Sequence, residues 1–169
     1  MVIYKLNKYY KPMLTHIDND GNAKMVDISE KNDTDRIAIA SGFIKLNKET
    51  IQLVKIGDLK KGDVLTVAKI AAIQASKKTS SIIPLCHNIN LNKIDIEFNI
   101  NILENKIYCK STVSCSGKTG VEMEALTSVS VGLLTIYDMC KASDRNMLIS
   151  EIKILEKRGG KSGAWVSKA

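Results

Sequence analysis

Apolar positions recur along this chain at two periods. From Asp35 to Leu46 they alternate, with Ile37, Ile39, Ser41 and Phe43 on one parity and Arg36, Ala38 and Ala40 on the other, which predicts a strand. Lys93–Leu103 alternates more strongly, placing Ile94, Ile96, Phe98, Ile100 and Ile102 on one face. Glu104-Asn105 then predicts a hairpin turn, with Ile107–Cys115 as the returning strand. Met147–Leu155 alternates again, anchored by Ile149, Ile152 and Ile154.

Between these stretches the period lengthens. Ile51, Val54 and Ile56 fit a helix over Lys48–Ile56 that Gly57 closes. A second helix runs from Val64 to about Lys78, buries Leu65, Ala68 and Ile73, and has Asp63 as its N-cap. Leu126, Val129, Leu133, Ile136 and Cys140 recur at steps of three and four, the stripe of a long helix within Ser116–Ala142. Its opposite side carries only Ala125, Ser128, Ser130, Gly132 and Thr135, so this helix is expected to be buried on most sides. Thr79–His87 reads as a loop, since Pro84 pushes Ile83 out of helical geometry. Ile17–Asn22 reads as a turn and Met25–Ile28 as a short extended piece. The order strand, helix, strand, strand, helix, strand predicts an α+β fold: one domain with a ferredoxin-like antiparallel sheet packed against helices. The domain is expected over residues 15–163, with tails at 1–14 and 164–169.

Composition narrows the partners. The 169 residues carry a net charge of +7, which favours an anion: nucleic acid, a membrane surface or a phosphorylated small molecule. Aromatics are only 5% and no Lys/Arg block is long, which argues against a nucleic-acid partner. No apolar run reaches membrane-spanning length and the N-terminus lacks signal-peptide features, so the cytoplasm is the expected location. The four cysteines include no Cys-x-x-Cys pair and only two histidines accompany them, so no metal site is expected and the thiols read as free.

Candidate chemistry clusters around the long helix. Asp138 and Lys141 sit one turn apart at its end, where charge is costly unless paired or used. Glu124 and Asp138 are fourteen residues apart, hence nearly on one face but separated by roughly 21 Å. A small-molecule site on one chain could hardly use both, so a functional pair implies two subunits. The plainer reading is that Glu124 serves the helix dipole. Gly117-Lys118-Thr119 and Gly160-Lys161-Ser162 imitate a P-loop, but Thr112 and Leu155 stand where its first glycine belongs. What survives is a glycine-rich turn before a helix, an anion site or mere turn chemistry. Lys157–Gly163 reads as a solvated basic tail unless Trp165 and Val166 anchor it. His87 alone reads as structural and Lys61 as an ordinary turn lysine unless something recruits it.

Taken together, Met25-Val26-Asp27, Lys61–Val64, Ile83-Pro84-Leu85-Cys86-His87, Gly117–Thr127, Leu134–Ala142 and Gly159–Gly163 resemble the cyclic pyranopterin monophosphate synthase family of molybdenum cofactor biosynthesis, from about Leu14 to Gly163. The resemblance implies a lyase that converts 3′,8-cyclo-7,8-dihydro-GTP to cyclic pyranopterin monophosphate and releases diphosphate. It implies a homohexamer, a trimer of dimers, with sites shared between subunits and a phosphorylated pterin-precursor nucleotide as partner. By motif match Asp138, Lys61 and Lys141 are catalytic. Leu85, Cys86, His87, Met123 and Glu124 bind substrate, with Glu122, Arg36, Lys157 and Lys161 as further pocket residues beside Lys118. No tightly bound cofactor is implied, though Mg²⁺ can accompany the polyphosphate; neither nucleic acid nor membrane is an expected partner. Asn88 departs from the family, which usually has proline after the histidine. A lysine near other cations is expected to have a lowered pKa and so to act as a base. The rivals are a basic nucleic-acid-binding module and a phosphate-binding subunit without chemistry.

Overall fold

The chain builds β1 (Thr34–Lys45), α1 (Lys48–Ile56), α2 (Val64–Lys77), α3 (Thr79–Ile82), β2 (Leu91–Asn101), β3 (Lys106–Gly117), α4 (Glu122–Cys140), β4 (Leu148–Arg158) and β5 (Trp165–Val166). These elements belong to a computed structural model that describes residues 16–18, 20–57, 62–161 and 163–168. The strands form one antiparallel sheet in the order β2-β3-β1-β4-β5. Its first four strands have the ferredoxin-like arrangement expected from the pattern, with β1 and β3 at the centre. The expected tail at 1–14 and Lys61 lie outside the described residues. The segment expected as a tail at 164–169 contributes β5 through Trp165–Val166.

Helices α2 and α4 pack together over one sheet face. The small side of α4 meets α2: Ser128 Oγ donates to the Ala72 carbonyl at 3.0 Å, and a Cβ on Gly132 would stand 3.4 Å from both Ala72 Cβ and Phe98 Cζ. The apolar stripe meets the sheet, with Val129, Leu133 and Ile136 fully buried. On β1 the parity toward the helices is the light one, Ala38, Ala40, Gly42 and Ile44. A Cβ at Gly42 would lie 2.9 Å from Ile152, 3.2 Å from Leu133 and 3.2 Å from Val129, so α4 sits too close for a larger residue. The heavier parity faces the other way, leaving Ile37 36% exposed. Phe43 on that face is covered by Lys106, whose ammonium is 4.4 Å from the ring centroid, and by Tyr108 at 5.7 Å.

Local capping agrees with the pattern. Asp63 accepts the Thr66 backbone N–H at 3.0 Å and its hydroxyl at 2.6 Å, starting α2. Gly57 closes α1 at φ 73°. Thr79–His87 departs from expectation: its first four residues make a helical turn, α3, because the proline restriction acts only on Ile83, which is extended at φ −100°, ψ 110°. No helix among the described residues is long and apolar enough to cross a membrane.

Candidate active site

The antiparallel register brings several chain ends to one end of the sheet. Arg36 at the start of β1 lies opposite Cys115 near the end of β3, and Ile37 opposite Arg158 at the end of β4. Beyond β3, Lys118–Val121 leads directly into the first turn of α4. Leu85–His87 and the stretch from Val26 to Lys31 close over the same region.

Three connected hollows result. One, of about 270 Å³, is lined by Leu85, Cys86, His87, Glu122, Met123 and Glu124. A wider one, of about 950 Å³, gathers the cations Lys31, Arg36, Lys118 and Lys161. A narrow one, of about 150 Å³, lies between Arg36, Glu122 and Lys157. Gly120 borders all three. The structure therefore unites ten residues expected at the site, from Arg36 through the Leu85–His87 and Glu122–Glu124 segments to Lys118, Lys157 and Lys161.

Arg36, Lys118, Lys157, Glu122 and Asp27 are held by their neighbours. Arg36 donates from Nε to the Gly117 carbonyl at 2.8 Å and from Nη2 to the Lys118 carbonyl at 3.1 Å. Lys118 Nζ donates to the Ser29 carbonyl at 2.8 Å, and Asp27 fixes Ser29 by accepting its N–H at 2.8 Å and its hydroxyl at 2.7 Å. Those bonds from Ser29 hold the Asp27 carboxyl below its ordinary range. Lys157 pairs with Glu122 at 3.1 Å. His87 Nε2 lies 2.8 Å from the Val26 carbonyl, which can only accept, so Nε2 carries a proton. Glu124 is 4% exposed; burial pushes its carboxyl above the ordinary value, and the charge of Glu122 adds to this. Burial, then the charge of Glu124, pushes the Cys86 thiol up, so Cys86 lines the hollow as a neutral group rather than a thiolate.

Asp138 and Lys141 are elsewhere. They pair at 2.6 Å at the far end of α4, with side chains 62% and 55% exposed. Since α4 runs unbroken between them, the helical rise puts Asp138 roughly 21 Å along the axis from Glu124. Asp138 raises the pKa of Lys141 through its hydrogen bond. The expectation of a lowered lysine pKa therefore fails at Lys141, whose dominant neighbour is an anion. Sequence reasoning missed Lys31, which borders two of the hollows, and His16. Lys31 follows the Met25-Val26-Asp27 motif by four residues, but its place depends on the Lys118–Ser29 bond across 89 residues of sequence. Among the described residues, no three His, Cys, Asp or Glu side chains gather as metal ligands would.

Comparison with known proteins gives the family. Residues 25–160 match the MoaC family. A relative from Heliobacterium modesticaldum, named cyclic pyranopterin monophosphate synthase, is 52% identical over 153 residues, which span 90% of this chain and 96% of the relative. A crystallised ferredoxin protease in complex with Arabidopsis ferredoxin aligns with 64% of this chain and 10% of its own at TM-score 0.33 and 8% identity, a likeness that carries no weight. With the family matched across most of its length and a relative this similar, the chain belongs to the MoaC family.

Proposed function

We propose that this chain converts 3′,8-cyclo-7,8-dihydro-GTP to cyclic pyranopterin monophosphate, the product for which its 52% identical relative is named, with release of diphosphate. The observation that carries the reading is the junction of two unlike hollows. One holds four cations suited to a polyphosphate. The other is half-enclosed and holds a neutral thiol, a histidine and a buried carboxyl suited to a polar ring system. The net charge of +7 has the sign that draws such a substrate in.

In this account Arg36, Lys118, Lys157 and Lys161 hold the polyphosphate by charge-assisted hydrogen bonds. Any Mg²⁺ arrives with the polyphosphate. Leu85, Cys86, His87, Met123 and Glu124 hold the ring. The rearrangement moves protons between carbon and nitrogen centres, the work of Asp138 with Lys61 and Lys141. The hydrogen bond to Asp138 raises the Lys141 pKa, so Lys141 enters the reaction as an ammonium. A ring hydroxyl then attacks the α-phosphorus, the phosphoanhydride bond breaks and diphosphate leaves, its growing charge met by the same cations.

Because Asp138 and Lys141 stand so far from the hollows, they act in the site of a neighbouring subunit. The assembly is a homohexamer, a trimer of dimers, in the cytoplasm. Incubation with the cyclised nucleotide tests the reading. It predicts equal amounts of diphosphate and cyclic pyranopterin monophosphate. Binding of the nucleotide with no diphosphate formed would leave a binding protein instead.

A further inference from the structure

We propose that β5 is a positioning strand: Trp165 and Val166 clasp the end of β4 and so hold Lys157 and Lys161 in place for the polyphosphate. This rests on the reading of the cationic hollow given above.

As a contribution to the core β5 makes little sense. It has two residues, and Trp165 is 46% and Val166 63% exposed. What it does is fix a path. Trp165 pairs with Lys157 and Val166 with Glu156, and the Ser167 N–H donates to the Leu155 carbonyl at 2.8 Å. Directly paired residues project from the same sheet face, so Trp165 flanks Lys157, the residue that bonds Glu122.

Between β4 and β5 the chain reverses through glycines at positive φ, 94° at Gly159, 72° at Gly160 and 67° at Gly163. The Gly163 N–H donates to the Gly160 carbonyl at 3.2 Å. The reversal lies on the start of β1: a Cβ on Gly159 would overlap the Asp35 carbonyl oxygen, and one on Gly160 would overlap Arg36 Nη1. Lys161 is thereby set in the same hollow as Arg36 and Lys118.

Two forces oppose that placement. Glycines give the segment more conformational freedom to lose than other residues would. Before an anion arrives, Lys161 also shares its hollow with Arg36, Lys118 and Lys31, three like charges against the one carboxylate of Glu30. Pairing of β5 at the other end of the reversal opposes both, a role that suits a two-residue strand whose side chains lie outside the buried core.

Calorimetric titration of the full chain with inorganic triphosphate tests this without turnover. The clasp is opened with Trp165→Gly combined with Ser167→Pro, which removes the donor to Leu155. Opening it should weaken triphosphate binding at least about tenfold, the scale of the one charge-assisted contact made by Lys161, with the loss at Lys157 added to it. Lys161→Ala should cost about tenfold in the intact chain but under about twofold once the clasp is open, since the contact is then already lost. Lys118→Ala, held instead by Ser29, should cost the same in both backgrounds. Trp165→Tyr, which can still pair and flank Lys157, should retain the affinity of the unaltered chain. In the turnover assay the opened clasp should raise KM and leave kcat within about twofold. Undiminished triphosphate binding with the clasp open overturns the proposal. So does a Lys161→Ala effect that is equal in both backgrounds. Absence of triphosphate binding by the unaltered chain overturns the polyphosphate reading itself, and the clasp with it.

Discussion

Glu124 and Asp138 stand on one helix, α4, with one buried against the hollow that holds Cys86 and His87 and the other exposed in an ion pair with Lys141. Fourteen residues of rigid helix keep them roughly 21 Å apart. No rotamer change closes such a gap, so the two can serve one reaction only if the chain associates.

Asp138→Asn should lower turnover by about 10²–10⁴-fold, the usual scale for a general acid or base. Both partners are more than half exposed, so the pair adds little to stability and the melting temperature should hardly move. Lys141→Ala should behave alike, and the double variant should lose far less than the product of the single losses. Steady-state rates beside thermal melts check this. A large drop in melting temperature with normal turnover would make Asp138 a structural partner of Lys141.

Glu124→Gln should abolish activity yet stabilise the fold near neutral pH. The folded carboxyl keeps its proton to higher pH than the ordinary 4.5. Stability therefore falls as pH rises from that value through the raised folded one. Glutamine has no such transition, so its advantage in melting temperature should grow with pH and vanish in acid below the ordinary value. A difference that is the same at acid and neutral pH would contradict the burial argument.

The parts legible in the sequence are those set by local period. Alternation marked β1 to β4, and three-four spacing marked the face of α4 that meets the sheet. The facing of β1 was not legible, because Ile37 and Ile39 look like core while the real constraint is how closely Leu133 and Val129 approach Gly42. For the site, motifs supplied Leu85–His87 and Met123-Glu124, but spacing could not say that Lys157 is engaged by Glu122, 35 residues away. Nor could it show Lys31 joining the cations, which requires the folded register of β1 and β3.

Gly42→Ala tests that close approach. The added methyl meets Ile152, Leu133 and Val129 at 2.9, 3.2 and 3.2 Å. Overpacking of this kind costs about 1–3 kcal/mol. Chemical denaturation should show that loss with an unchanged slope. Unaltered stability would mean α4 can move off the sheet freely.

Lys118→Ala, Lys157→Ala and Lys161→Ala should each weaken substrate binding by about 1.5–3 kcal/mol where the contact is well formed. The loss should be larger for the triphosphate than for a monophosphate analogue. Equal losses for the two ligands would show that these lysines do not read the polyphosphate.

Subunit mixing shows whether the two ends of α4 from different chains meet in one site. Glu124→Gln and Asp138→Asn proteins, each inactive alone, are dissociated, mixed in equal amounts and reassembled. If every site takes its cleft from one chain and its helix end from another, about a quarter of the sites carry neither substitution, and about a quarter of normal turnover should return. Reassembled mixed oligomers that remain as inactive as the two parents would contradict the account.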